Sequence, residues 1–367
     1  LVIRYTVAVL EAYTEQALFL AEQRMRRAIR QVPAGEYHYD AYLDSGGDSL
    51  EPVVVRAGVT VLEEKVIIDF SGSSSQRPGP LNAGPAVAPS GAFIILKSFL
   101  DSDGPINHGA FAPIEFINPP GSVVNATYPH PCGGFSEIRR CVESSVAGAL
   151  ARALPERITG DIKGTANHVT ISGMSFQGDN FIFYEYPAGG TGGFVHGDGN
   201  NAVRSYTEGD FSSIQSIESL ERAYPLEVLC CGLRCDSGGE GRMRGGLGMV
   251  REVEVQTDKA SLSILSDKNI IPPFGVLGGH NGSPNRFTVR RGEKRLVPGE
   301  IPGKVSRFPL QLGDVLVMET SGGGGYGDPL ERDPEKVQTD LADGLISPER
   351  ARQGYGLVLQ IGRASCR

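Results

Sequence analysis

Glycine occupies 49 of the 367 positions and proline another 24, and the glycines cluster. Segment 236–248 reads DSGGEGRMRGGLG, segment 321–329 reads SGGGGYGDP, and segment 189–221 opens on GGTGG. Residues lacking a Cβ, or with a fixed φ, reach turn geometries that other residues avoid, so many connections must be tight turns. Between them lie stretches with clear periodicity. From about Val7 to Arg30 apolar residues fall near helical spacing, arginines crowd the end where the helix dipole favours cations, and Pro33-Ala34-Gly35 stops the helix. Residues 37–44 alternate in the manner of a half-buried strand, and β-rich runs follow at 53–62 and 65–70. Helices are expected at 91–100 and 135–154. Beyond Ile158 the pattern turns strongly β, with strands expected at 168–172, 181–186, 226–234, 249–255, 261–265, 286–290 and 314–319, and helix returns at 334–353. No period of 20–50 residues recurs. The expected class is α+β with a β-rich second half, divided into 1–160, 161–332 and a helical tail at 333–360.

With 40% apolar and 21% charged residues the chain can bury a sizeable core. A formal charge of −8 and the lack of a Lys/Arg block argue against nucleic acid or an anionic membrane as partner. No run of about 18 apolar residues occurs, and residues 1–30 mix Arg with Glu, unlike a signal peptide; a cytoplasmic location is expected. The cysteines at 132, 141, 230, 231, 235 and 366 lack paired CxxC spacing and read as mostly buried thiols. Leu1 already sits inside an amphipathic pattern, so an upstream portion is expected to be missing. Residues 361–367, IGRASCR, read as a non-native tail.

Three segments carry chemistry. In 236–248, six glycines stand beside Asp236, Glu240, Arg242 and Arg244. That combination lets backbone approach a ligand while guanidinium forks hold a carboxylate or phosphate, and it equally describes a glycine-rich β connection with surface ion pairs. In 321–329 successive N–H groups could form an anion nest, yet Pro329 stands where a phosphate-binding helix would begin, and no GxxxxGK[ST] occurs; a packed structural loop is the favoured reading. Between Gly189 and Glu221 the chain gathers His196, Asp198, Asn200, Asn201, Arg204, Glu208, Asp210, Gln215 and Glu218. Long loops so loaded are often functional, and His196 with Asp198 or Asp210 could serve acid–base chemistry or hold a metal. The six histidines nowhere reach metal-ligand spacing. Cys132, beside His130 and close to a helix start, is a candidate nucleophile, against the plainer reading of a structural thiol.

The order of six motifs resembles the hydantoinase B/oxoprolinase family, which includes subunits of acetone and acetophenone carboxylases. They are IDFSGSSSQRPGPLN (68–82), GTANHVTISG (164–173), EGDFSSIQSIE (208–218), DSGGEGRMRGGLGMVRE (236–252), PGKVS (302–306) and ETSGGGGYGDP (319–329). The resemblance implies a two-component, hetero-oligomeric enzyme. An A-type subunit uses ATP to phosphorylate the amide or carbonyl oxygen, and the B-type subunit completes hydrolysis of a cyclic amide such as a hydantoin or 5-oxoproline. The ketone relatives imply an alternative, carboxylation, and a subunit that only positions its A-type partner is a third reading. ATP is expected on the partner, and the ligands of any divalent metal in the upstream region, so this fragment alone is expected to be inactive. Catalytic roles are expected of His196, Glu208 and Asp210. Substrate or interface contacts are expected of Asn167, Arg204, Gln215, Glu218, Asp236, Arg242 and Arg244. The chain departs from the family's frequent GTMNN at Gly164–His168, and from a His-containing stretch at residues 202–206.

Overall fold

The computed structural model describes residues 1–2, 4–175, 177–203 and 215–357. Contacts divide the chain into two compact units, Leu1–Ile158 and Thr159–Arg367. In the first, helix α1 (Val7–Ile29) is capped by the Thr6 hydroxyl, which accepts from the Val9 N–H, and carries Arg26 and Arg27 in its last turn. Strands β1 (Gly35–Leu43), β2 (Val53–Val61) and β3 (Val66–Asp69) form an antiparallel meander. Helices α2 (Val87–Leu100) and α3 (His108–Phe111) then lead to β4 (Ile114–Ile117), which adds parallel to β3. Helix α4 (Phe135–Leu150) packs on β1, β2 and α2. The α1 and β2 patterns were plain in the sequence; β4 was not, because four residues are too few to show a period.

The second unit is a β-sandwich with a glycine-rich flank. Its strands are β5 (His168–Met174), β6 (Asn180–Glu185), β7 (Leu226–Leu233), β8 (Met249–Val255), β9 (Ala260–Leu265), β10 (Arg286–Arg291), β11 (Lys294–Leu296), β12 (Lys304–Leu310) and β13 (Val315–Glu319), with a short helix α5 (Ile217–Ala223) before β7. One sheet runs β11-β10-β13-β8-β7, the other β12-β9-β5-β6. Alternation puts Val253 and Val255 of β8 and Leu316 and Met318 of β13 on the inner face of the first sheet. Val169 and Ile171 of β5 and Leu262 and Ile264 of β9 meet them from the second, and together they make one core. Helices α6 (Pro334–Ala342) and α7 (Pro348–Tyr355) close the unit, each starting on a capping side chain and a Pro in the first turn. Among the described residues the architecture is α+β, seven helices with thirteen strands in three sheets.

Against the sandwich, segments 160–163, 189–193, 199–201, 237–248, 273–282 and 321–327 pack backbone on backbone. The Gly190 N–H donates to the Ser321 carbonyl, Gly246 to Thr191, Gly323 to Gly246, Gly193 to Gly324 and Gly324 to Asp161, at 2.8–3.0 Å. These bonds link residues far apart in sequence and satisfy buried peptide groups outside the regular ladders. A Cβ on Gly323 would lie far inside van der Waals contact with the Thr191 carbonyl oxygen, and one on Gly190 equally far inside contact with that of Gly246. The expectation of tight turns is therefore too local: here glycine serves mainly to bring chains together. Gly323→Ala should destabilise the protein by about 3 kcal/mol or more, the scale of severe overpacking. Gly232→Ala, on β7 where nothing lies within 4 Å of the new methyl, should be neutral or stabilising by up to about 1 kcal/mol. Paired urea unfolding curves check the contrast.

Candidate functional site

The GTANH segment leaves the glycine bundle at Gly164 (φ 64°) and enters β5 through Asn167, whose φ of 55° lies in the left-handed region. Asn tolerates that conformation because its short amide finds local partners. Here the Asn167 side chain is fully buried; its Nδ2 donates to Asn285 Oδ1 at 3.2 Å, and its Oδ1 accepts from Ser266 Oγ at 2.7 Å. Asn285 in turn donates to the Asp267 carbonyl and accepts from the Ser321 N–H, both at 2.7 Å. The Thr165 hydroxyl accepts from the Asp267 N–H at 3.0 Å. Lys304 Nζ reaches the Asp267 carboxylate at 2.7 Å, and Lys268, itself at φ 59°, pairs with Asp161 at 3.1 Å. Three motifs well separated in sequence, 164–173, 302–306 and 319–329, thus share one buried polar network.

Left-handed φ is strained for lysine, and burial of charged pairs carries a desolvation penalty of several kcal/mol per ion. Such features persist where the fold over-determines them, and they concentrate at functional sites. Beside the network opens a cleft of about 260 Å³, walled by the 297–303 loop and by β10, with Asn285 at its floor and Asn269 and Arg286 on its sides. It pairs apolar walls with a few fixed polar groups, the usual make-up of a small-molecule site.

The remaining residues expected at a site are dispersed. Arg204, Glu208 and Asp210 lie outside the described residues. His196 is exposed at the 194–197 turn, its ring edge-on to Phe194 at 6.5 Å. Asp198 does not serve as its partner. Both Asp198 oxygens accept from the Arg332 guanidinium at 2.7 Å, and one also accepts from the Arg244 N–H. Gln215 is exposed just ahead of α5. Glu218 stands in the first turn of that helix, where a hydrogen bond from Ser216 holds its carboxyl below the usual range. Asp236 (φ 61°) ties the glycine bundle to α7, accepting from the Ser347 N–H at 2.8 Å and standing 3.8 Å from Arg350. Arg242 is half-exposed over the Tyr326 ring. Arg244 presents no free fork to a ligand: its guanidinium is buried, donating to Asp340 at 3.3 Å and to the Gly245 carbonyl at 2.7 Å. The Cys132 thiol points to the His130 carbonyl at 3.8 Å, while the His130 ring approaches the Thr127 carbonyl. Among the described residues no three His, Cys, Asp or Glu side chains converge as a metal site.

Sequence reasoning missed the partners that anchor this region. Arg332, almost fully buried, binds Asp198 with both Nη atoms, donates to Asp340 at 2.6 Å and lies 5.7 Å over the Tyr355 ring. Arg350 pairs with Glu240, which also faces His280 at 3.4 Å. On the sandwich, Glu185 of β6 is pushed up by burial against the opposing charge of Arg251 on β8, 3.3 Å away. None of these pairs has a local signal; Arg332 and Asp198 are 134 residues apart.

Burial alone would raise the Asp198 carboxyl, but the Arg332 fork together with the Arg244 charge and backbone N–H outweighs it and holds the group below the usual carboxylate range. The stability this supplies is present above the unfolded aspartate value of about 3.9 and is lost as pH falls through the depressed folded value. Arg332→Met should remove about 3–5 kcal/mol, as for other buried pairs broken on one side, and flatten the loss of stability below about pH 4. Urea titrations across pH check both. At Asn167 the two causes separate: Asn167→Gly keeps the left-handed backbone and loses only the amide's bonds. Asn167→Ala loses both and should be less stable than the glycine variant by about 1 kcal/mol, read from the same unfolding curves.

With this geometry in view, comparison with known proteins gives a consistent answer. The hydantoinase B/oxoprolinase family model matches residues 1–329. A Pseudomonas sp. (strain NS671) protein assigned as the B-type component of a D-/L-hydantoinase is 30% identical over 97% of this chain and 61% of its own length. The beta component of the Pseudomonas jessenii caprolactamase is 28% identical over 97% of this chain and 62% of its own. The crystal structure of the ATP-dependent caprolactamase from the same organism superposes with a TM-score of 0.88 at 26% identity, covering 98% of this chain and 63% of that one. Nucleotide-free acetone carboxylase shares the fold, with a TM-score of 0.85 at 20% identity over 99% of this chain and 54% of that one. The chain therefore spans about three-fifths of the length of the two Pseudomonas relatives, and it belongs to the hydantoinase B/oxoprolinase family.

Proposed function

We propose that this chain is part of the B-type subunit of an ATP-dependent enzyme that opens cyclic amides, with a hydantoin or 5-oxoproline as substrate. In this reading an A-type subunit phosphorylates the ring carbonyl oxygen and the B-type subunit completes hydrolysis. An amide carbonyl is a poor electrophile because nitrogen donates into it; phosphorylating its oxygen makes the ring carbon electrophilic, so that one water adds, the ring C–N bond breaks with the nitrogen leaving as a protonated amine, and a second water releases phosphate from the acyl phosphate left behind. What remains for the B-type chain is to hold the ring and position the attacking waters, which is work for rigid, pre-positioned polar groups.

The observation that carries this reading is the similarity to caprolactamase, a lactam-directed enzyme by name, over nearly the whole chain in sequence and in structure. A relative named 5-oxoprolinase, from Dictyostelium discoideum, is 28% identical over 78% of the chain and 21% of its own length, and supports it. The buried network around Asn167 and Asn285 supports it too, since it fixes amide groups at the floor of a cleft of small-molecule size.

The test is reconstitution. The full-length subunit is co-expressed with its A-type partner, and ATP hydrolysis is followed with 5-oxoproline, with hydantoins and, in the presence of bicarbonate, with acetone or acetophenone. Turnover that requires both subunits and a cyclic amide is the expected result. Turnover only with ketone and bicarbonate would overturn the hydrolase reading in favour of a carboxylase. Turnover by the A-type subunit alone, unchanged by this one, would show that the B-type chain takes no part in the reaction.

A further inference from the structure

We propose that the cleft between β10 and the 297–303 loop binds a small carboxylate with a compact apolar body, held at its charged end by Arg286. The inference stands on the cleft's own geometry and not on the reaction proposed above.

Among the residues lining the cleft there is one cation, Arg286, and no acid. The Arg286 side chain is 57% exposed, and its ion pair among the described residues is a distant one, 4.0 Å to Glu319. That carboxylate is shared: Arg295 approaches it at 2.8 Å and Arg234 at 3.8 Å. Three guanidiniums around one carboxylate leave positive charge unbalanced. Burial lowers the Arg234 guanidinium below the ordinary arginine range, Glu319 pulls it back up, and the nearby Arg286 charge adds to the lowering. An incoming anion at Arg286 supplies the missing charge, and a planar fork suits the two oxygens of a carboxylate.

The rest of the cleft suits a small apolar body. Val297, Ile301 and Val305 line it, and Val297 is 68% exposed at the edge, where an apolar side chain gains by being covered. The polar groups at its floor are fixed rather than mobile. Asn285 is buried and bonded on both its oxygen and its nitrogen, and Asn269 donates to Ser266 Oγ at 3.1 Å. The loop closes down on Asn269 at Gly303 (φ 73°), where a Cβ would run into the Asn269 amide and the Ser266 carbonyl. A site assembled this way loses little side-chain entropy when a ligand enters.

The experiment uses cyclopentanecarboxylate as probe and cyclopentanecarboxamide as its neutral counterpart, with binding to the chain followed by ligand-observed NMR and calorimetry. Saturable binding of the acid, at least about tenfold weaker for the amide, is expected, in line with the loss of a charge-assisted bidentate pair. Arg286→Met should abolish the preference for the acid, and Arg286→Lys should retain part of it. Val297→Trp, at an exposed position that leaves the core untouched, should block both ligands by filling the mouth. Displacement of the probe by 5-oxoproline would assign the cleft to a substrate's carboxylate, and binding that 5-oxoproline leaves unchanged would assign it to a separate carboxylate effector. Equal binding of acid and amide, a preference for the acid that survives Arg286→Met in a folded variant, or no saturable binding up to about 10 mM, well above the affinity of a weak millimolar site, would overturn the proposal.

Discussion

The close approach of glycine backbones in the second unit is the constraint on which its other features rest. Peptide groups removed from water must find partners, and here they find them across segments separated by tens of residues, with Gly190 on Ser321, Gly246 on Thr191 and Gly324 on Asp161. Approach at that distance excludes side chains from the contact. The segments that result are not free loops but a second core, made of hydrogen-bonded backbone instead of apolar side chains. Its position decides what stands nearby: Asn167 follows the bundle at Gly164, and Ser321, inside the bundle, supplies one of the two donors that fix Asn285.

Charge closes this core where apolar side chains cannot. Arg332 and Arg244 share Asp340, Arg332 also grips Asp198, and Arg350 joins α7 to Glu240 and to the Asp236 carbonyl. Buried ion pairs often add little net stability over apolar packing. What they add is geometry: bidentate forks accept one arrangement of the C-terminal helices against the bundle. The family match ends at residue 329, yet the residues just beyond it, 332 to 355, contribute side chains that are as buried as the sandwich core.

The regular elements were legible in the sequence because their periods are local. β-rich runs located β2, β5, β8 and β13 to within a residue or two, and the arginine-rich end of α1 stands where the pattern places it. The candidate site was legible only in part. Asn167 lies in a motif that could be recognised, and it does sit in a buried network, but its partners Ser266 and Asn285 carry no signal of their own. Arg244 illustrates the reverse: glycine beside arginine resembles an anion-binding loop, and only the fold reveals that Asp340, 96 residues away, already occupies the guanidinium. Lys268 and Asp161 could not have been paired from sequence, since neither neighbourhood contains a periodic or capping pattern that names the other.

Amide hydrogen exchange on the isolated chain tests the central claim, that the glycine segments form a rigid core which holds the candidate site. If they do, the N–H groups of Gly190, Gly246, Gly323 and Gly324 exchange as slowly as those of β8 and β13, by opening of the whole unit. Exchange of those glycines at rates typical of exposed loops, while β8 and β13 remain protected, would contradict it.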